Sequence, residues 1–380
     1  CIYMANILNH QKTIGIVGST PDAHEFILEA NRLGFITYHL CQTEEERNLS
    51  SGADKEFFGA FDDEGIQENF LMHCDLLVYF DYSLSSTQIE EAKKTVVIPQ
   101  GDDLLSISRD RALQKAFKES LSVNIAPYET VVTIEDIQEG LRSIGYPAVL
   151  RTNYLASSKK NQSYFIYDEE DIEEASNLLK YGTCILESWI VTGDELSVSL
   201  VKTASGVIET YPIVKKSYRN DRLASVQTSI DIEHDLLEEI ERVARLLAEG
   251  IQFIGAITID FIVSPAQALY VGNIYPFPNE LSRYSQQTSS MSILQAHLRA
   301  IASLPLSYET DEETESIFVP FYEDQLEVIE RLITIYPTWK FTFYPIVKKE
   351  ILKTKEAVGH IIIETKETKK ILGILAENDL

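Results

Sequence analysis

Residues 13–35 read TIGIVGSTPDAHEFILEANRLGF, and this stretch decides the fold class. It opens on a short apolar run with β-branched residues that ends at Gly18, the pattern of a buried strand closed by a turn. Asp22 can cap the following helix, whose apolar positions Phe26, Ile27, Ala30 and Leu33 recur at helical period, and Gly34 fits its stop. Working outward, further strands are expected over 36–41, 76–80 and 95–98. Strands separated by helices make βαβ units and a parallel sheet, so residues 13–103 read as an α/β domain. The turn Gly18-Ser19-Thr20-Pro21-Asp22 has one glycine, and Pro21 removes a donor. It therefore reads as an ordinary strand–helix turn rather than a dinucleotide site.

At 380 residues, the chain has room for two or three domains. A second block, 104–308, carries apolar strand candidates at 148–150, 184–186, 196–200, 256–263 and 268–271. Its clearest helix runs over 233–249, with Leu236, Leu237, Ile240, Val243, Ala244 and Leu247 on one face. The acidic stretch 309–315 reads as a linker or exposed loop. Beyond it, residues 316–380 hold strands at 340–344 and 360–364 and a helix near 323–335, enough for a small third domain.

Lys plus Arg total 33 against 59 Asp plus Glu, a net charge of −26; 44% of residues are hydrophobic and 24% charged. That balance fits a soluble globular protein, and a generally basic nucleic-acid binder is excluded because phosphate needs a positive surface. No apolar run reaches the ~18 residues of a membrane span. The charge is uneven: 168–174 and 309–330 carry acids and no base, whereas 151–160 and 211–222 are each net +3 and 340–355 is net +4. Such islands focus anionic ligands even in an acidic protein. Cys1, Cys41, Cys74 and Cys184 are widely spaced, with no metal-type pairing, and read as free thiols. With a signal-peptide pattern broken by Asn6, Asn9, His10 and Gln11, the expected location is cytoplasmic. Met4 is a candidate start, which leaves open whether residues 1–3 are native.

The order of segments resembles the ATP-grasp enzymes, and within them the carboxyaminoimidazole ribonucleotide synthetases (the ATPase subunit of phosphoribosylaminoimidazole carboxylase) of purine biosynthesis. The matching segments are IGIVG at 14–18, RLGF at 32–35, SRDRALQKAF at 108–117, GYPAVLRT at 145–152 and CILESWI at 184–190. They continue with DELSVSL at 194–200, FIGAITIDFIV at 253–263, YPFP at 275–278, QAHLRAIASLPL at 295–306 and VGHIIIE at 358–364. The resemblance implies an α/β, three-domain ATP-grasp architecture: a Rossmann-like domain over 13–103, an ATP-grasp domain over 104–308 and a small C-terminal domain over 316–380. It also implies a reaction of ATP, bicarbonate and aminoimidazole ribonucleotide through carboxyphosphate, with ATP and Mg2+ as cofactors and a homodimeric assembly.

The resemblance assigns roles residue by residue. Lys115 and Arg151 match the two cations on nucleotide phosphates, Arg151 standing where a lysine is usual. Glu187, Trp189 and Ile190 match the hinge that receives adenine, and Glu195 the acid on the ribose hydroxyls. The glycine-rich loop over the triphosphate corresponds to residues 155–162, which keep Lys160 and Gln162 but no glycine. Of the two carboxylates that hold Mg2+, Asp260 stands for the first, whereas the second falls at the neutral amide Asn273, with Glu280 as an alternative donor nearby. Phe277 replaces an arginine, Asp81 falls in the segment of the family's acidic substrate signature, and Tyr218-Arg219 stands where the family has His-Arg. Arg219 and Lys353 are the catalytic candidates that this leaves. Three readings follow: a ligase of this family, acting on the same or a different acceptor; a catalytically impaired nucleotide-binding paralogue with a regulatory or partner role; or a scaffold subunit that binds neither ATP nor substrate.

Overall fold

The apolar run at 13–17 becomes the strand Thr13–Val17, all five residues of which are buried. The structure, a computed structural model, describes residues 11–41, 51–155, 162–286, 290–307, 315–346 and 356–380. Lys160 and Lys353 lie outside the described residues. Thr13–Val17 is central in a parallel sheet ordered Lys55–Phe58, Ile36–Cys41, Thr13–Val17, Leu76–Tyr79. The fourth strand expected at 95–98 is reduced to a single bridge, Val97 to Leu76, and an unexpected strand, Lys55–Phe58, forms the opposite edge beside Ile36–Cys41. That strand, KEFF, is short and half-exposed, so no apolar run announces it. Among the described residues, Cys41, Cys74 and Cys184 are buried and in no disulfide.

The first helix, Pro21–Arg32, is capped by Thr20 rather than by Asp22: the Thr20 hydroxyl accepts from the Ala23 N–H at 3.1 Å, and Pro21 occupies the first turn. Asp22 is one position inside the helix, buried, and turned to Arg283.

Two antiparallel sheets follow. The smaller is ordered Tyr128–Val131, Cys184–Ser188, Ala148–Thr152, Ser163–Ile166, and its core is made by Val131, Ile137, Leu150, Ile166 and Leu186. The larger has Asp194–Lys202 paired with Gly255–Val263 over nine residues, and Leu269–Tyr275 beyond it at the edge. The helix His234–Glu249 packs on it through Ile240, Val243, Ala244 and Leu247, as the periodicity predicts. On the other side of Asp194–Lys202 the sheet continues through Val214–Arg219 and Arg222–Gln227. This hairpin is not evident from apolar alternation. Its turn is Asn220-Asp221, both at positive φ (51° and 60°), the backbone that two-residue hairpins demand.

The C-terminal strands extend the same sheet: Glu315–Phe321 pairs with Arg222–Gln227, then Gly359–Thr365 and Lys340–Phe343 follow. Residues 315–380 therefore have their own core, with Ile317, Val319, Phe321, Ile329 and Ile361 at its centre, yet share a continuous sheet with the preceding block.

Candidate active site

A cleft runs between the two antiparallel sheets, and cations from three elements line it. Arg111, Lys115 and Lys118 come from the helix Arg111–Ser120, at positions four and three apart that fall on one face. Arg151 comes from the strand Ala148–Thr152, and Lys216 from Val214–Arg219. Lys115 Nζ lies 2.5 Å from Glu187 Oε2 and 4.8 Å from the Tyr128 ring centroid. Glu187 sits on the neighbouring strand opposite Val149. Burial alone would raise its carboxyl, but Lys115 and Arg151 hold it below the usual range.

The segment after Glu187 bridges the two sheets. The Ser188 N–H donates to the Pro127 carbonyl at 2.8 Å and the Trp189 N–H to the Pro147 carbonyl at 3.0 Å. The Trp189 N–H is thus committed to the protein, and its indole lies exposed, edge-on to Phe165 at 4.9 Å. Trp189, Ile190 and Glu195 all line the cleft. Lys115, Arg151, Glu187, Trp189, Ile190 and Glu195 are therefore brought together as the sequence reading expects.

The metal expectation fares differently. Asp260 does line the cleft, but both oxygens are engaged: Oδ1 accepts from the Ser197 hydroxyl at 2.7 Å, and Oδ2 accepts from the Tyr275 hydroxyl at 3.0 Å and from Lys216 Nζ at 2.9 Å. Burial alone would lower the Lys216 ammonium, but Asp260 beside it keeps it above its ordinary value. Asn273 turns its amide to the Tyr275 hydroxyl at 3.4 Å. Glu280 lines a second cleft instead of joining Asp260 in the first. Among the described residues no group of three or more His, Cys, Asp or Glu side chains could hold a metal ion. Mg2+ is usually held by one or two carboxylates together with phosphate oxygens; here Asp260 is taken up by Lys216, Ser197 and Tyr275 and Asn273 is a neutral amide, so this pair fits the ion poorly.

The second cleft adjoins the first through Tyr218, which lines both, and is bounded by Pro21, Arg222, Glu280, Arg283 and Tyr344. Arg219 lines neither cleft; Arg222, three residues on, does, and it pairs with Asp324 at 2.7 and 3.0 Å. Phe277, at the family's arginine position, is buried against Tyr79, Phe80 and Tyr82 and belongs to the N-terminal core. Sequence reasoning missed Arg111, Lys118 and Lys216. The one-face spacing of the first two with Lys115 was a usable signal. Lys216 was hidden because its strand was not recognised.

The model of the ATP-grasp domain matches residues 116–293. The chain carries an ATP-grasp domain, and over most of its length it is similar to N5-carboxyaminoimidazole ribonucleotide synthases. It is 26% identical over 350 residues to the enzyme of that name from Bacillus subtilis (strain 168), with 92% of this chain and 90% of the relative covered. The Staphylococcus aureus N5-carboxyaminoimidazole synthetase complexed with ADP superposes with a TM-score of 0.90 at 21% identity, covering 98% of each chain. The Aspergillus clavatus synthase in complex with ADP and the aminoimidazole ribonucleotide gives a TM-score of 0.84 at 18% identity, over 97% of this chain and 98% of that one. The ATP-grasp match spans both antiparallel sheets and takes in Arg151, Glu187, Lys216 and Asp260. It begins one residue after Lys115 and ends before Tyr344 of the second cleft.

Proposed function

We propose that this chain binds ATP between its two antiparallel sheets and uses it to carboxylate aminoimidazole ribonucleotide with bicarbonate, as its relatives are named for doing. The observation that carries the reading is the convergence of Lys115, Arg151 and Glu187, from a helix and two neighbouring strands, on one cleft wall. In this reading Lys115 and Arg151 hold the phosphates, with Arg111 beside them. Glu187 accepts from the adenine amine, and the Trp189–Ile190 segment covers the ring. Glu195 accepts from the ribose hydroxyls. The adjoining cleft takes the ribonucleotide, whose phosphate meets Arg222. Tyr218, on the shared wall, stands between the reacting ends. Fixed cations around a transferring phosphoryl group stabilise charge as it develops.

Support for ATP comes from the relatives solved with ADP or ATP, and support for the second substrate from the relative holding the ribonucleotide. Cytoplasmic location and homodimeric assembly belong to the same reading and rest on the resemblance; no described helix is long and apolar enough to cross a membrane. The test is ADP release in the presence of bicarbonate and aminoimidazole ribonucleotide, with ATP binding measured in parallel. Turnover dependent on both co-substrates is expected. Intact ATP binding with no turnover would replace the ligase by a nucleotide-binding protein of regulatory role.

A further inference from the structure

The carboxylate that should receive a divalent cation already has a cation on it. Lys216 projects from the strand Val214–Arg219 with its side chain only 4% exposed, and its Nζ stands 2.9 Å from Asp260 Oδ2 and 3.7 Å from Glu195 Oε2. The Tyr275 and Ser197 hydroxyls complete the donors around Asp260, so an incoming metal would have to displace an ammonium and two hydroxyls. The position expected to supply a second negative oxygen offers Asn273.

We propose that the Lys216 ammonium is the resident cation of this cleft, so that the site takes a nucleoside triphosphate as the metal-free anion. The inference rests on the nucleotide reading above and goes beyond it in naming the ionic form of the ligand. A lysine ammonium carries three donors, and Asp260 takes one of them, which leaves N–H groups for phosphate oxygens. The same cleft holds Arg111, Lys115, Lys118 and Arg151, so five basic side chains face Glu187, Glu195 and Asp260. The surplus of basic over acidic side chains, five against three, offsets part of a polyphosphate's charge without a metal. A metal-bound triphosphate carries two fewer negative charges and has part of its oxygens already coordinated, so it gains less from this wall than the free anion does.

Calorimetric titration of the full chain with ATP, in EDTA and again in excess Mg2+, tests the proposal. The expected result is saturable binding in EDTA, at least as tight as in Mg2+. Lys216→Gln should weaken binding in EDTA by tenfold or more. The double variant Lys216→Gln/Asn273→Glu, which removes the ammonium and restores the second carboxylate, should bind tenfold tighter with Mg2+ than without. Wild-type binding that is tenfold or more tighter with Mg2+, or an unchanged affinity in EDTA for a folded Lys216→Gln, overturns the proposal and leaves the nucleotide reading standing. Absence of ATP binding under both conditions removes that reading itself, and this one with it. Circular dichroism establishes that each variant is folded, and if Lys216→Gln is not, the wild-type comparison decides alone.

Discussion

Arg283 grips Asp22 through two parallel contacts, Nε to Oδ1 at 2.8 Å and Nη2 to Oδ2 at 2.5 Å, across 261 positions of chain. Its third nitrogen, Nη1, donates to the Tyr344 hydroxyl at 2.6 Å, so one guanidinium ties the N-terminal helix to the turn Glu280–Ser285 and to the C-terminal segment. The side chains are 7% and 5% exposed, and removing one partner strands a buried charge, which costs about 3–5 kcal/mol. Arg283→Met should lose stability of that order in urea unfolding. Removing both partners, in Arg283→Met/Asp22→Leu, should be less destabilising than the sum of the two single changes. Additivity of the two would show that the pair does not act as a unit.

Phe277 invites the opposite experiment. Restoring the arginine expected at this position puts a guanidinium among Tyr79, Phe80 and Tyr82, whose rings lie 6.4, 6.4 and 5.3 Å from that of Phe277. An unpaired charge there should cost at least ~3 kcal/mol. Phe277→Arg is therefore expected to lower the melting temperature clearly and to bring no rise in ADP release. A stable variant with raised turnover would show that the aromatic cluster yields to the side chain.

The parts of the fold that were legible in the sequence are those where burial imposes a period. Thr13–Val17, Ile36–Cys41 and His234–Glu249 match the expected ranges closely because their apolar residues repeat at the spacing of a buried strand or a helix face. The hairpin Val214–Arg219/Arg222–Gln227 was missed because its residues are largely polar: Lys216 and Ser225 are buried through ion pairing and hydrogen bonding rather than as hydrophobes. Asn220-Asp221 was the remaining clue. The lining of the candidate cleft was legible through Lys115, Arg151, Glu187 and Glu195, which stand along the chain in the order that the resemblance assigns. What a linear reading could not give was pairing: that Asp22 serves Arg283 instead of its own helix, and that Asp260 faces an ammonium.

Two buried histidines should make the fold acid-sensitive. Burial pushes His297 down to about 3, and it pushes His360 to about 3 with help from Arg283 nearby. His297 Nδ1 accepts the Ala256 N–H at 2.8 Å, which requires a neutral nitrogen there. The unfolded chain takes these protons near the ordinary value of ~6.5 and the folded chain only near 3, so between those values the unfolded state binds more protons. Stability is then fully present above pH ~6.5 and lost as pH falls toward 3. Urea midpoints should drop across this window. His297→Gln should reduce the slope of stability against pH at pH 5 by about one proton, and an unchanged slope would show that His297 does not titrate on unfolding.

Lys118 should give ATP binding a pH dependence of its own. Its ammonium is buried, held by Gln114 Oε1 at 2.7 Å and by the Gly272 carbonyl; burial first, and neighbouring Lys115 second, push it down to about 7. Gly272 matters to this arrangement, because a Cβ there would come within 2.9 Å of Asp260 Cβ. In the empty cleft Lys118 is charged below pH ~7 and neutral above it, whereas a bound polyphosphate favours the charged form and raises its pKa. Binding must then take up a proton above pH ~7, and affinity should fall as pH rises from 7 toward 9, by up to about tenfold per unit. Titrations in buffers of different ionisation enthalpy measure that uptake directly. Lys118→Arg, whose guanidinium stays charged throughout, should flatten the profile. A wild-type affinity that is level from pH 6.5 to 9, with no buffer-dependent heat, would place Lys118 outside the nucleotide's electrostatic reach.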